Sequence, residues 1–286
     1  MRTLLHLCAL ALPLLLGGCH IFQEEGPLGR SPLRPARSSP DSVAMEIVWA
    51  RLPLVDPQLA EDAWREIDET QFEPAVKSAL AENGFRAGVI SGAPPAVIAS
   101  ALHMGETSPD HAAMPGGAQS IDILAEPTVR GRVKQLRRDQ RTEIQASEIY
   151  ASLPLLVNEA DGLHGRTYHD AQAVYALKVD PQPDRMVHVE LTPELHYGPV
   201  RMRWTGDDAV LRTAQMRDRE VFERLRMKVR LAPGEMLVLM SLPEASGRLA
   251  HYFHPTNAAE GREQKLILIR PAEVPASNTF DLAADL

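Results

Sequence analysis

The chain has 286 residues, of which 24% are charged, 44% apolar and only 5% aromatic, so its core has to be built mainly from Leu, Val, Ile and Ala. With 38 acidic against 30 basic side chains and a net charge of −8, it is a poor candidate for binding nucleic acid, which selects concentrated positive charge. Two cysteines exclude a disulfide-dense scaffold and a Cys-based zinc finger.

Met1–Gly18 (MRTLLHLCALALPLLLGG) has the parts of a secretory signal peptide. Arg2 gives the positive start, Leu4–Leu16 the apolar segment, and the small residues Gly17 and Gly18 precede Cys19. The run Leu16-Gly17-Gly18-Cys19 resembles the bacterial lipobox. That resemblance implies cleavage between Gly18 and Cys19, a diacylglyceryl group on the Cys19 thiol and acylation of the new amino group. The partner it implies is a membrane, with the body lipid-anchored in the cell envelope and facing the periplasm. Cys8 falls in the discarded segment, so no thiol is left for a disulfide, a metal or a nucleophile. By analogy with envelope lipoproteins, His20 in place of Asp after the cysteine favours the outer membrane. Residues 19–42, with Pro27, Pro32, Pro35 and Pro40 and no apolar period, read as a disordered tether.

From Val43 an ordered body is expected. Met45, Ile47 and Trp49 alternate as in a strand. Asp56-Pro57 opens a helix with Ala60, Ala63, Trp64 and Ile67 inward, and a second helix from about Glu73 stops at Asn83-Gly84. Phe85–Ile90 is a short strand, and Pro94-Pro95 opens a third helix, Ala96–Leu102. The order β-α-α-β-α predicts a small α+β domain over residues 43–118. Asp62, Glu66, Asp68 and Glu69 read as a solvated helix face, and His103, Asp110 and His111 as part of a loop without diagnostic metal spacing.

Beyond residue 119 the apolar period changes from 3.6 to 2, which predicts a larger, mostly antiparallel β-domain over 119–272, a sandwich or meander, and then a disordered tail over 273–286. Ile121 and Ile123, Val129 and Val133, Ile144–Tyr150 and Leu153–Val157 are strand candidates. Tyr175, Leu177 and Val179, a turn at Asp180–Arg185, and Val187, Val189 and Leu191 read as a hairpin. Glu223–Leu231 is expected as one strand with Leu225, Met227, Val229 and Leu231 on one face and Arg224, Arg226, Lys228 and Arg230 on the other. That basic row is a candidate surface for lipid headgroups, lipopolysaccharide or an acidic partner; the alternative is a solvated face guarding against edge pairing. The basic run Arg130–Arg141 is read in the same two ways. Met236–Leu242 (MLVLMSL) reads as a strand buried on both faces, and Leu249–His254 and Lys265–Arg270 as further strands, the first placing His251 and His254 on opposite faces.

Within Ala173–Glu194, a strand ending Val179-Asp180-Pro181 is followed by a polar turn and Val187–Glu194 (VHVELTPE); this is similar to the secretin homology region of bacterial secretion pores. The hairpin around Ala232-Pro233-Gly234-Glu235 and the strand Lys265–Pro271 (KLILIRP) resemble its later elements, so the likeness spans about Arg137–Pro271. Met240-Ser241 stands where that family has paired glycines. The first half, with Trp64, Asp68-Glu69 and Asn83–Val89, looks like bacterial envelope lipoproteins that join a small α+β unit to such a β-region.

No nucleophile elbow, P-loop, dinucleotide fingerprint or His-Glu-x-x-His occurs, so no catalytic residue, metal or cofactor is expected. The expected function is non-enzymatic: a lipid-anchored envelope protein that acts by binding envelope partners or by self-association, in the setting of a secretin-type apparatus. One alternative is a stand-alone periplasmic module that binds a ligand or a cell-wall component. The other is a hydrolase using His164, His169 and Asp170 of the Gly162–Asp170 segment, read as a loop.

Overall fold

A computed structural model describes residues 41–53, 57–106, 129–207, 210–243, 245–257 and 263–273. The signal peptide, Cys19, the tether, Asp110, His111, Ile121, Ile123 and residues 274–286 lie outside the described residues. The chain divides into two units, Met1–Arg37 and Ser38–Leu286, and the described residues all belong to the second.

The fold is α+β and mostly antiparallel. β1 (Ser42–Pro53), α1 (Pro57–Arg65), α2 (Pro74–Glu82), β2 (Phe85–Ser91) and α3 (Ala96–Glu106) keep the expected order. Proline opens α1 and α2, where its missing N–H leaves no bond unmade. Gly84 ends α2 at φ +82°, and a Cβ there would sit 2.7 Å from the Ala245 Cβ, so both conformation and space call for glycine. Next come β3 (Val129–Arg137), β4 (Thr142–Glu159), β5 (Gly162–Pro181), β6 (Val187–Asp207), β7 (Val210–Val221), β8 (Met227–Leu231), β9 (Glu235–Ser241), a short α4 (Leu249–Phe253), β10 (Thr256–Asn257) and β11 (Glu263–Glu273).

These strands form two sheets. The first has the order β2-β9-β11-β1-β3, with β10 paired to β11; the second has β4-β5-β6-β7, with β8 also paired to β6. The expected boundary at 118/119 is therefore not a division of the body. β1 lies between β11 and β3, and β2 pairs with β9, so strands from both sides of that boundary share one sheet. Folded alone, the first segment would leave both edges of β1 unpaired.

The first sheet is apolar on both faces. Leu237, Leu239, Ile267 and Ile269 point to the second sheet and meet Tyr175, Leu177 and Leu191. Met236, Val238, Met240, Leu266 and Leu268 point the other way and meet Trp64 and Ile67 near the end of α1 and Ile98 and Ala101 of α3. This is why both runs lack polar alternation. Gly88 lets the chain after α1 approach β2: a Cβ there would lie 2.4 Å from the Ile67 Cγ2. Gly88→Ala is expected to lower stability by about 1–3 kcal/mol through overpacking, read as a reduced denaturant midpoint with an unchanged slope.

Four local expectations are corrected. Glu223–Leu225 is a 3-10 turn, and the strand begins only at Met227. The turn moves the chain along one edge of β6, where β8 pairs with Val187–Leu191 and β7 with residues from Glu194 onward. Pro193 sits in the gap between these partners, and its carbonyl accepts the Phe222 N–H at 3.1 Å. Its missing donor faces that gap, so β6 runs through a proline without losing a ladder bond. Leu249–Phe253 is a helix, because Leu249, Ala250 and Phe253 share one buried face. Ile144–Tyr150 and Leu153–Val157 are one strand interrupted by a register shift between Gln145 and Ile149. Gly162–Asp170 is not a loop but the first half of β5.

Candidate functional site

Polar side chains of β5, β6 and β8, with Lys228 and Arg230 of the basic row among them, gather on the outward face of the second sheet. Asp180, His188 and Arg230 form one cross-strand row on β5, β6 and β8; Lys178, Glu190 and Lys228 form the next. Together they line an open cleft of about 520 Å³. In the second row opposite charges alternate across the strands, which favours pairing within it.

The basic row is accordingly neither continuous nor unneutralised. Arg224 lies on the 3-10 turn, and its Nη1 donates to the Asn158 carbonyl at 3.4 Å. Arg226 pairs with Glu223 and lies 3.6 Å from Glu190. Lys228 is 3.9 Å from Glu190, and Arg230 donates to Asp184 at 3.0 Å. A cleft of mixed sign suits a zwitterionic or hydrogen-bonding ligand better than a bare phosphate.

Beyond the cleft the same face continues through Thr192, Glu194 and His196, since β6 keeps its register on β5 across Pro193. The Glu194 carboxylate is buried, 2.5 Å from Arg141 Nη2 and 3.0 Å from His196 Nε2. Burial pushes this carboxyl up, but the hydrogen bonds from His196 and Arg141 and the charges of Arg141 and Arg219 outweigh it, so it stays below the ordinary carboxylate range. It is a charged tie between β6 and the residue that precedes β4.

His164, His169 and Asp170 are not brought together. His164 and His169 are five positions apart on one strand, which separates them by about 16 Å and places them on opposite faces. Asp170 has φ +50°, and its carbonyl accepts a hydrogen bond from Arg217 Nη1. His164 instead meets Asp161 at 2.9 Å at the β4–β5 turn. With Glu159 these form a trio whose ligand atoms lie within 4.8 Å of one another. Arg166 holds Glu159 at 3.2 Å, so each member of the trio already has a partner in the chain. The sequence reading missed Glu159 and Asp161, although their spacing around Gly162 marks a turn.

Another polar group, whose pairing the sequence reading did not foresee, is internal. His254 is fully buried at the end of α4, with Nε2 2.8 Å from the Tyr175 hydroxyl and Nδ1 3.1 Å from the Lys265 carbonyl. The carbonyl can only accept, so Nδ1 carries the proton and Nε2 accepts from Tyr175. Burial, and then the Lys265 charge, push this imidazole down to about 3 against the hydrogen bond to the Lys265 carbonyl. Its ring packs edge-on near Phe85, making it a core histidine and not a reagent.

No family model, curated protein or solved structure matches the chain. A functional reading therefore rests on its own residues and geometry. Among the described residues no helix is long and apolar enough to cross a membrane.

Proposed function

We propose that the chain is a non-enzymatic cell-envelope protein, moored by lipid on Cys19, that acts by assembly with envelope partners or further copies of itself. The secretin-like strands favour a secretion apparatus as its setting, and the lipobox and His20 favour the outer membrane, with the body facing the periplasm. The observation that carries the reading is a solitary ribbon. Beyond His196, β6 is no longer paired with β5, and from Arg201 to Met216 the strands β6 and β7 pair only with each other among the described residues. The ribbon reaches about 20 Å along the strand direction. An isolated two-stranded hairpin is marginally stable in water and offers two rows of unpaired backbone groups, so it gains most from an added strand. Met202, near its base, is 68% exposed.

The other long edge is closed. Along β4, the Leu156 N–H donates to the Gly247 carbonyl at 2.9 Å, the Asn158 N–H to Asn83 Oδ1 at 2.9 Å, and Lys265 Nζ donates to the Ala146 carbonyl at 2.6 Å. The Tyr252 hydroxyl donates to the Pro154 carbonyl. A fold that covers one edge so thoroughly and extends another directs strand addition to the second.

The test is site-specific crosslinking in native membranes. Once Cys8 is removed and Cys19 acylated, Met202→Cys supplies the sole free thiol. A bismaleimide is expected to link it into dimers and larger species or to a second envelope protein. A chain that stays monomeric while the thiol remains reactive sinks the assembly role, and mass spectrometry finding an unmodified Cys19 sinks the anchor. The 520 Å³ cleft supports a second reading, a stand-alone ligand- or cell-wall-binding module, which predicts monomers in the same experiment.

A further inference from the structure

The first sheet has an open edge. β3 is its last strand, and among the described residues it pairs with β1 alone. Seven of its nine residues are exposed, so its outer row of backbone N–H and C=O groups faces solvent. The opposite edge is partly closed: Asp68 and Val89 of β2 exchange two backbone hydrogen bonds of 2.9 Å.

The side chains along β3 decide what can add to it. Arg130, Arg132 and Lys134 stand opposite Trp49, Ile47 and Met45 of β1 and share one face; Val129, Gly131 and Val133 share the other. Val133 is 64% exposed, an apolar side chain left largely uncovered. Arg130 and Arg132 make no ion pair or hydrogen bond with another described residue, and Lys134 donates to the neutral Thr142 hydroxyl at 2.7 Å. Two copies of β3 paired with their cation rows on one face would set like charges directly opposite; with the rows on opposite faces, both rows would stay unanswered. The strand that complements this edge alternates acidic with apolar residues.

Residues 279–286 (TFDLAADL), which lie outside the described residues, have that alternation. Set antiparallel on β3 with Leu282 opposite Val133, they bring Asp281 opposite Lys134, Asp285 opposite Arg130 and Leu286 opposite Val129, with Arg132 diagonal to both acids. A shift by one residue would put the leucines on the cation row, so the match is specific to register. Reach decides which copy supplies the strand. β11 ends at Glu273, opposite Ala44 and on the far side of β1 from β3. The same chain would have to pass β1 and β3, about 14 Å, and clear their ends as well, on a connection of residues 274–278 that spans about 20 Å at most. A second copy has no such constraint.

We infer that residues 279–286 of one copy add as an antiparallel strand to the open edge of β3 in another, with Asp281 and Asp285 against Lys134 and Arg130. Reciprocal exchange closes a two-fold dimer. The inference rests on the assembly reading only in taking a second copy as partner. It uses the first sheet, whereas the ribbon belongs to the second, so this test and the Met202→Cys test fail separately.

Two differently tagged full chains, one with Val133→Cys and one with Leu282→Cys, are produced together in native membranes and treated with a mild oxidant. With Cys8 removed and Cys19 acylated, these are the free thiols. A disulfide-linked dimer carrying both tags is expected, since directly opposed Cβ atoms lie about 5 Å apart, close to disulfide range. Leu163→Cys, at an exposed position on the second sheet, is expected to give no such dimer in place of Val133→Cys. Asp281→Lys/Asp285→Lys in the donor is expected to lower the linked fraction by about tenfold, and Arg130→Glu/Lys134→Glu in the acceptor to restore it. Reactive thiols that give no two-tag dimer overturn the inference and leave β3 as an edge guarded by charge alone. Equal linking through Leu163→Cys overturns it, as does a linked fraction that charge reversal leaves unchanged. With both cysteines in one chain, a disulfide that closes within that chain without dimers assigns the edge to the chain's own tail and overturns exchange between copies.

Discussion

Phe253→Ala is expected to cost about 3–5 kcal/mol, the range for emptying a buried phenylalanine site. Phe253 is fully buried on α4, the short helix that packs against both sheets. Its ring meets Phe85 of β2 at 5.4 Å and 72°, and Tyr175 of β5 at 4.8 Å and 60°, both edge-to-face. Such pairs add to the area term because the positive edge of one ring meets the negative face of the other. Alanine would leave a void bordered by rigid rings and by His254, groups that cannot collapse into it without moving a strand. Total stabilities of single domains run to about 5–15 kcal/mol, so the loss is a large share of the whole. Urea unfolding followed by circular dichroism measures it. Leu163→Ala, at a position 63% exposed on the β4–β5 hairpin, serves as the control and is expected to fall within about 0.5 kcal/mol of wild type. A Phe253 loss as small as that would mean that the two sheets do not close over a common core.

Much of this architecture can be read from local pattern. The apolar runs at Met236 and Lys265 signal burial on both faces, and the β5–β6 hairpin follows from alternation on either side of the Asp180–Arg185 turn. Proline starts and an Asn-Gly stop delimit α2. Other features depend on partners distant in sequence. A five-residue helix such as α4 is too short to show a 3.6 period, and its apolar residues fit a strand equally well. β5 buries Ala171, Ala173 and Tyr175 in its inner half but Tyr168 beyond Asp170, so the buried face changes at a residue with φ +50° and no single alternation runs through it. The pairing of β1 with β3 and β11 joins the start, middle and end of the chain, which no local window contains. The candidate site obeys the same rule. The run of basic residues is visible in the sequence, whereas the Glu190 that neutralises Arg226 and Lys228 comes from a neighbouring strand whose register only the fold sets.

The same core predicts an acid sensitivity that begins well above the carboxylate range. His254 is held neutral by burial and by the charge of Lys265, with its imidazole pushed down to about 3. Unfolded, it would titrate near 6.5. Between these values the unfolded chain binds a proton that the folded chain does not, so stability rises with pH across the window and is lost as pH falls through it. The contribution is complete above pH 6.5 and declines by about 1.4 kcal/mol per unit below it, or about 2–3 kcal/mol by pH 4.5. The groups facing the ring on its three sides assign the effect. The Tyr175 hydroxyl, pushed well above 10 by burial, stays protonated throughout, and the Lys265 ammonium disfavours a second positive charge beside it. Glu194, Glu69 and Asp68 are held below their ordinary values, so they weaken the fold only at lower pH, where their protonation begins to compete. Urea midpoints at pH 7.5, 6.5, 5.5 and 4.5 separate the two regimes. His254→Gln, which keeps a polar side chain without the titration, is expected to be less stable at pH 7.5 and nearly flat down to pH 5. A variant that retains the wild-type slope between pH 6.5 and 5 would show that the proton is taken up elsewhere.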